Sequence, residues 1–538
     1  MRGTARARWA VGAAVLALAA TACGGGDDGD DEGGGEAASG GSFSMYLAEP
    51  ESLIPGNTNE SEGSQVLSAL YTGLYDYNPE TSEPEAEMAE SVESDDQINW
   101  TITLKDGWTF HDGTPVTAQS FVDAWNWTAL STNAAGNSYF FENVTGYEDL
   151  QAEEGATPAA TEMSGLAVTD DLTFTVQLVE PFSQYPLTLG YTAFYPMAEA
   201  CLADIEACNE EPIGNGAYQM DGAWQHNQAI QLARFEDYAG TPGNADSVEF
   251  RIYSDINTGY NDLLGGNLDI METVPPERIP TLGTDFPDRN FTGPSSNFTY
   301  VGFPIYDTRF ANAELRQAFS QAIDRQAIID AIFNGTRVPA QSVVSPVVAG
   351  SRDDACGELC EYDPAAAKAK FDAAGGFQGT LNLWFNSGAG HDQWMQAVSN
   401  QLRQNLGIQD IVFEQKDFAE YLTILDAKTV TGPFRLGWVM DYPSPQNFLQ
   451  PIYSTTGSSN NMGYSNPEVD SLISDGNQAA NVDEGIELYN QAEDLILQDM
   501  PVIPMWFNRV DAAWSENVSN VTVDAFVQVD IAGVSVNS

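Results

Sequence analysis

Hydrophobic residues recur along this chain with two different periods. Between 98 and 104 they alternate: Ile98, Trp100, Ile102 and Leu104 fall on one face, with Asn99, Thr101 and Thr103 on the other. Leu172, Phe174, Val176 and Leu178 repeat the pattern, and such alternation predicts half-buried β-strands. Elsewhere the spacing is helical. Trp394, Val398, Leu402 and Leu406 form an i, i+4 stripe that Gly407 closes. Asp363-Pro364 reads as the N-cap and first residue of a helix ending near Gly375 and Gly376. A third run, Ala313 to Phe333, predicts one helix closed by Asn334-Gly335, with Asp324 and Arg325 as a surface ion pair. Strands and helices mix throughout without an internal repeat, which predicts an α/β protein. The 538 residues exceed what one core organises, so two or three structural units are expected.

The amino terminus is a different kind of segment. Arg2, Arg6 and Arg8 precede an apolar stretch, Trp9 to Ala20, too short to be a confident membrane span. Thr21 and Ala22 then lead to Cys23. A small-residue run ending in Cys resembles the bacterial lipobox, in which the Cys is acylated and becomes the mature N-terminus. Residues 1–22 are then a signal peptide. The Leu usual three positions before the Cys is Ala20 here, and an ordinary signal peptide cut nearby is the alternative. Residues 24–42 hold no large apolar side chain, so 23–42 is expected to be a lipidated Cys with an acidic, Gly-rich flexible tether. No other stretch is apolar enough to cross a bilayer, leaving the lipid as the expected anchor to the outer face of the cell membrane.

Twenty basic residues stand against 78 acidic ones, a formal net charge of −58. Such a surface repels nucleic acid, and otherwise reads as a heavily solvated exterior. Four more cysteines form two close pairs, Cys201 with Cys208 and Cys356 with Cys360. Outside the cytoplasm two local disulfides are the natural reading; free thiols and a metal site are the alternatives, and neither pair has a neighbouring His. There is no nucleophile with an adjacent base, no HExxH and no P-loop, so neither an enzyme nor a resident metal or cofactor is expected.

Six segments, in order, resemble the bacterial extracytoplasmic solute-binding proteins of family 5. They are residues 49–91 (EPESLIPGN…MAES), 99–125 (NWTITLKDGWTFHDGTPVTAQSFVDAW), 213–218 (IGNGAY), 310–335 (FANAELRQAFSQAIDRQAIIDAIFNG), 362–375 (YDPAAAKAKFDAAG) and 437–449 (GWVMDYPSPQNFL). The resemblance implies a periplasmic-binding-protein-like, type II fold: two α/β lobes and an extra domain, closing on a ligand like a flytrap. Lobe I would comprise residues 43–71, 211–300 and 508–538, the extra domain 72–210, and lobe II 301–507. Within the family signature, His111-Asp112-Gly113-Thr114-Pro115 is expected to be a turn leading to a helix, not a catalytic pair.

Family 5 members bind oligopeptides, dipeptides, nickel complexes, haem, sugars or opines. The run Arg435-Leu436-Gly437-Trp438-Val439-Met440-Asp441-Tyr442 is similar to that of the oligopeptide binders. By that resemblance Asp441 receives the ligand's α-ammonium. A buried ammonium needs such a partner, because an unpaired buried charge is costly. Arg435 and His391 receive the carboxylate, depending on peptide length. Gly437 and Val439 pair with the peptide backbone on one side, and the loop Asn59 to Gly63, with Ser61, on the other. Tyr139 and Phe418 fall near pocket-lining aromatic positions. The Cys that can follow the pocket Trp438 is Val439 here. The implied function is capture of short oligopeptides; the alternatives are a binding protein for another solute (sugar, opine or metal complex) or a peptide-sensing receptor, which would use the same cleft. A monomer working with the permease and ATPase subunits of an ABC importer is expected.

Overall fold

The computed structural model describes residues 40–79, 81–152, 155–387, 390–416 and 418–537. Cys23, the leader before it and the tether up to residue 39 lie outside the described residues.

Two 13-residue strands, Asn290–Gly302 and Val502–Trp514, run antiparallel through an 11-stranded sheet. They pack into the same core, and Val502–Trp514 continues into another. Phe298, Tyr300, Val502 and Phe507 pack into one, and Val510 and Ala512 into another. Between them the register shifts at Pro294/Phe298. There the Ser295 hydroxyl donates to the Asn508 carbonyl (3.0 Å) and Ser296 N–H to that of Ala525 (2.9 Å). A break in the ladder bends a strand pair locally.

On one side, Ser42–Leu47 pairs in parallel with Ser247–Ile252, and the sheet continues through Ala229–Arg234 and Tyr218–Met220. Gly40 N–H donates to the Asn244 carbonyl and Gly41 N–H to Asp246, so the last residues of the expected tether are already held by the fold.

A separate four-stranded antiparallel sheet is built from Ala89–Glu93, Asn99–Leu104, Thr173–Gln177 and Leu166–Asp170. Trp100 faces Val176 and Ile102 faces Phe174, and all four are buried under helix Ala118–Ala129, whose Phe121 and Trp125 fill the space. The opposite face carries exposed Asn99 and Thr101, as the alternation predicts. Cys201 and Cys208 are joined by a disulfide at the edge of this core.

The His111–Pro115 segment is a tight turn with Gly113 at φ +82°. His111 leaves it to clamp a distant loop. Its Nδ1 accepts Gly214 N–H (3.1 Å), so Nε2 carries the hydrogen given to the Gly216 carbonyl (3.2 Å). Position 214 must be glycine, since a Cβ there would lie 1.9 Å from the Leu70 carbonyl oxygen.

On the other side of the crossing strands, Leu381–Asn386 and Ile411–Lys416 run parallel, and Phe434–Trp438 joins them to Asn290–Gly302. Helix His391–Asn405 buries Trp394, Val398 and Leu402, with Trp394 edge-on to Trp506 at 5.0 Å. Helix Pro364–Ala373 starts on Asp363, which caps Ala365 and Ala366 N–H. Cys356 and Cys360 form a second disulfide.

The predicted single helix from 313 to 333 is instead two, Ala313–Gln321 and Arg325–Ile332. Asp324 is the N-cap of the second and accepts Ala327 N–H (2.9 Å). Arg325 is no surface residue: it is 3% exposed and donates to the carbonyls of Ser320, Cys360 and Pro504. The hydrophobic period runs through the break because Phe319, Ile323 and Ile328 all face one core.

Candidate functional site

The strand Phe434–Trp438 ends opposite Phe298, and the chain then turns into helix Pro445–Tyr453. Ser444 caps that helix by accepting Gln446 N–H (3.2 Å). The cap sets Asn447 against the turn. Asn447 Oδ1 accepts both Asp441 N–H (2.9 Å) and the Trp438 indole N–H (3.2 Å), while its Nδ2 donates to Asp441 Oδ2 (2.9 Å). One amide thus fixes the carboxylate and the indole together. Asp441 lines a cavity of about 390 Å³ with Tyr139, Glu142, Tyr442, Gln446 and Asn447. Burial raises its carboxyl to about 6, against the opposing Asn447 hydrogen bond. Tyr139, on the turn Ser138–Phe141, is pushed well above the ordinary phenol range by burial and then by Asp441.

Arg435 lies on the same strand. Its Nη1 donates to Asn386 Oδ1 (3.2 Å), its carbonyl accepts the Tyr421 hydroxyl (2.6 Å), and its Nε is buried without a partner. Burial lowers its pKa. Gly437, two residues on, pairs with Thr299, and a Cβ there would come 3.0 Å from the Phe298 carbonyl oxygen and 3.6 Å from Arg435 Nη2. His391 opens its helix with Nδ1 accepting the Trp394 indole N–H (3.1 Å). Its other nitrogen, Nε2, then carries hydrogen and is buried unpaired. Burial, followed by Arg435 and Arg337, depresses the imidazole to about 3, so it is neutral at physiological pH.

Asn59 and Ser61 are exposed at the start of helix Ser61–Leu70. The loop is held by Glu60, which accepts Gly63 N–H (2.7 Å) and is raised to about 7 mainly by burial. It is also tied to the turn carrying Tyr139, because Asn137 donates to the carbonyls of Pro55 (3.1 Å) and Thr58 (2.8 Å). Val439 lies just past the strand and is 39% exposed. Phe418 is 50% exposed at the head of helix Phe418–Asp426 and is not among the residues lining the Asp441 cavity.

Two residues at this site carry no motif signal of their own. Asn447 sits within the 437–449 run, where its role depends on the turn that brings it back. Arg337 precedes the strand Val338–Pro339, and only that strand's pairing with Phe507 and Trp506 brings it to the crossing strands.

The model of the bacterial extracellular solute-binding proteins, family 5, matches residues 83–460. The chain belongs to this family. Among family 5 relatives, it is 26% identical over 495 residues to the oligopeptide-binding protein OppA of Bacillus subtilis, covering 88% of each chain. It is 28% identical over 474 residues to the periplasmic murein peptide-binding protein MppA of Escherichia coli, covering 85% of this chain and 86% of that one. The solved structure of E. coli MppA superposes with a TM-score of 0.79 at 23% identity, over 93% of this chain and 99% of that one. The fold is therefore the two-lobed α/β architecture of family 5 binding proteins. Among the described residues no helix is long and apolar enough to cross a membrane.

Proposed function

We propose that this family 5 protein captures short peptides between its lobes and delivers them to the permease and ATPase subunits of an ABC importer. The observation that carries the reading is the separation of opposite charges. Asp441 offers an oriented carboxylate in a cavity, while Arg435 and His391 offer buried N–H groups without partners. A zwitterionic peptide needs both, in separate places. The relatives named for oligopeptides and murein peptides support the same reading.

In this reading Asp441 pairs with the peptide ammonium. Arg435 or His391 pairs with the carboxylate, according to length. Gly437 and Val439 meet the peptide backbone on one side and the Asn59–Gly63 loop on the other. Main-chain pairing reads no side chain, which favours broad sequence tolerance. Tyr139 packs beside the amine end, while Phe418 would need to move to reach the ligand. Residues 43–71, 211–300 and 508–538 act as lobe I, 72–210 as the extra domain and 301–507 as lobe II. Acylated Cys23 holds the protein at the outer face of the membrane.

The test is to purify the protein from its native host, denature it and identify the released ligands by mass spectrometry. A ladder of short mixed peptides is expected. A single sugar or metal complex, with no heat of peptide binding by calorimetry, would overturn the reading.

A further inference from the structure

Buried N–H groups almost always find an acceptor, so a group of them left without one points to something that binds there. Four such donors accompany the strand Phe434–Trp438 and its surroundings: Nε of Arg435, Nε2 of His391, the Trp384 indole N–H and Nε of Arg337. The first two belong to the carboxylate end already described. Arg337 does not.

Its position follows from the sheet. Trp438 pairs with Phe298, Phe298 with Phe507, and Phe507 with Val338, so these residues form one row across four strands. Arg337 stands one residue before that row's last member, as Val439 stands one residue beyond its first. A second route leads to the same place. Trp506, opposite Pro339, packs on Trp394, whose indole bonds His391. Phe333 lies under the Arg337 guanidinium at 5.1 Å. Both Arg337 and Arg435 act electrostatically on His391.

Among the described residues, Arg337 and Arg435 are the arginines with a buried nitrogen left unpaired. In this acid-rich chain Arg234, Arg251, Arg289, Arg309 and Arg352 pair with carboxylates, and Arg316 and Arg325 are saturated by carbonyls. Arg337 makes no ion pair within 4.0 Å to any described residue. Asp511 acts on it only at longer range, and Asp511 itself is committed to the Thr292 hydroxyl (3.0 Å). Burial disfavours its charged form. Two guanidiniums and a neutral imidazole donor exceed what one carboxylate neutralises.

We propose that Arg337 is a second anion subsite beside Arg435 and His391, and that it selects peptides whose C-terminal residue carries an additional carboxylate. The inference rests on the peptide reading above and adds a charge preference to it. The two carboxylates of a terminal Glu or Asp would each take one guanidinium, and the ligand's net charge of −1 would offset the site's two arginines and one aspartate.

Calorimetry on the full-length protein tests this with matched tri- and tetrapeptides of alanine ending in Glu or in its isostere Gln. Wild-type protein should bind the Glu-ended peptides about tenfold or more tightly than the Gln-ended ones, as close charge pairs at an interface do. Arg337→Gln should abolish that ratio while keeping Gln-ended affinity within about twofold, since it removes only the extra pair. Arg337→Lys should restore part of the ratio. Equal binding of both endings by wild type overturns the subsite and leaves the peptide reading standing. Equal loss of both peptides in Arg337→Gln assigns the residue a structural role and overturns the subsite as well. Binding of neither peptide by wild type overturns both.

Discussion

Asp441 concentrates the residue-scale chemistry. With its carboxyl raised to about 6, the group is protonated below that pH and must lose the proton to pair with an ammonium. Affinity for free-amine peptides should therefore fall about tenfold per pH unit below pH 6. Proton release on binding, read from calorimetry in buffers of different ionisation heat, measures it. Glu60, raised to about 7, and Glu272, raised to about 8, titrate nearby in pH, so Asp441→Asn is the control: it should flatten the profile. A second expectation concerns selectivity. Asp441→Ala should abolish binding of free-amine peptides; equal, wild-type affinity for free and N-acetylated peptides in that variant would count against Asp441 as the amine site. Asp441, Arg435 and Gly437 stand within seven residues of one strand and its turn, so one short run that resembles the oligopeptide binders names them together as candidates. Asn447 was not, since a hydrogen-bonding role is a property of the helix cap that returns it. Asn447→Ala would leave the Trp438 and Asp441 N–H groups without their acceptor, a cost of about 1–3 kcal/mol in unfolding free energy.

At the scale of elements, the HDGTP turn is tied through His111 to the distant loop at Gly214 and Gly216. His111 uses both ring nitrogens as a neutral imidazole, and burial depresses its pKa to about 4. The unfolded chain binds a proton at this histidine near pH 6.5, so between about 4 and 6.5 it holds more protons than the native state. Stability from this clamp is therefore complete above pH 6.5 and is lost as pH falls, by about 1.4 kcal/mol per unit. Chemical denaturation of wild type and His111→Gln at pH 7.5 and 5 checks it: the difference between them should shrink at the lower pH. The broken helix teaches a related lesson. Periodicity records which face is buried, and Ala313–Gln321 and Arg325–Ile332 bury the same face. Asp324 and Arg325 look like an exposed pair in one dimension, while the fold uses one as a cap and the other as a buried donor to four carbonyls.

For the whole molecule, the two crossing strands and the net charge set the behaviour. The cores meet through Asn290–Gly302 and Val502–Trp514, whose ladder shifts between Pro294 and Phe298. Closure about that segment should reduce the radius of gyration in small-angle scattering when a peptide binds, and no change across saturating ligand would argue against a closing trap. With 78 acidic and 20 basic residues, like-charge repulsion opposes the compact state. Salt shortens the Debye length from about 10 Å at 0.1 M to about 3 Å at 1 M, so Tm should rise across that range.

The sequence by itself determined the mixed α/β character, the burial faces of the strands and the family, because periodicity and short motifs are local. Only the tertiary structure decided where the helix at 322–324 breaks, what His111 holds, how Asn447 orients Asp441 and that the segment after Arg337 pairs with the crossing strand at Trp506 and Phe507. Each depends on a partner dozens of residues away or on a chain reversal, and the hydrogen bonds and strand pairings that bring such partners together leave no period in the sequence.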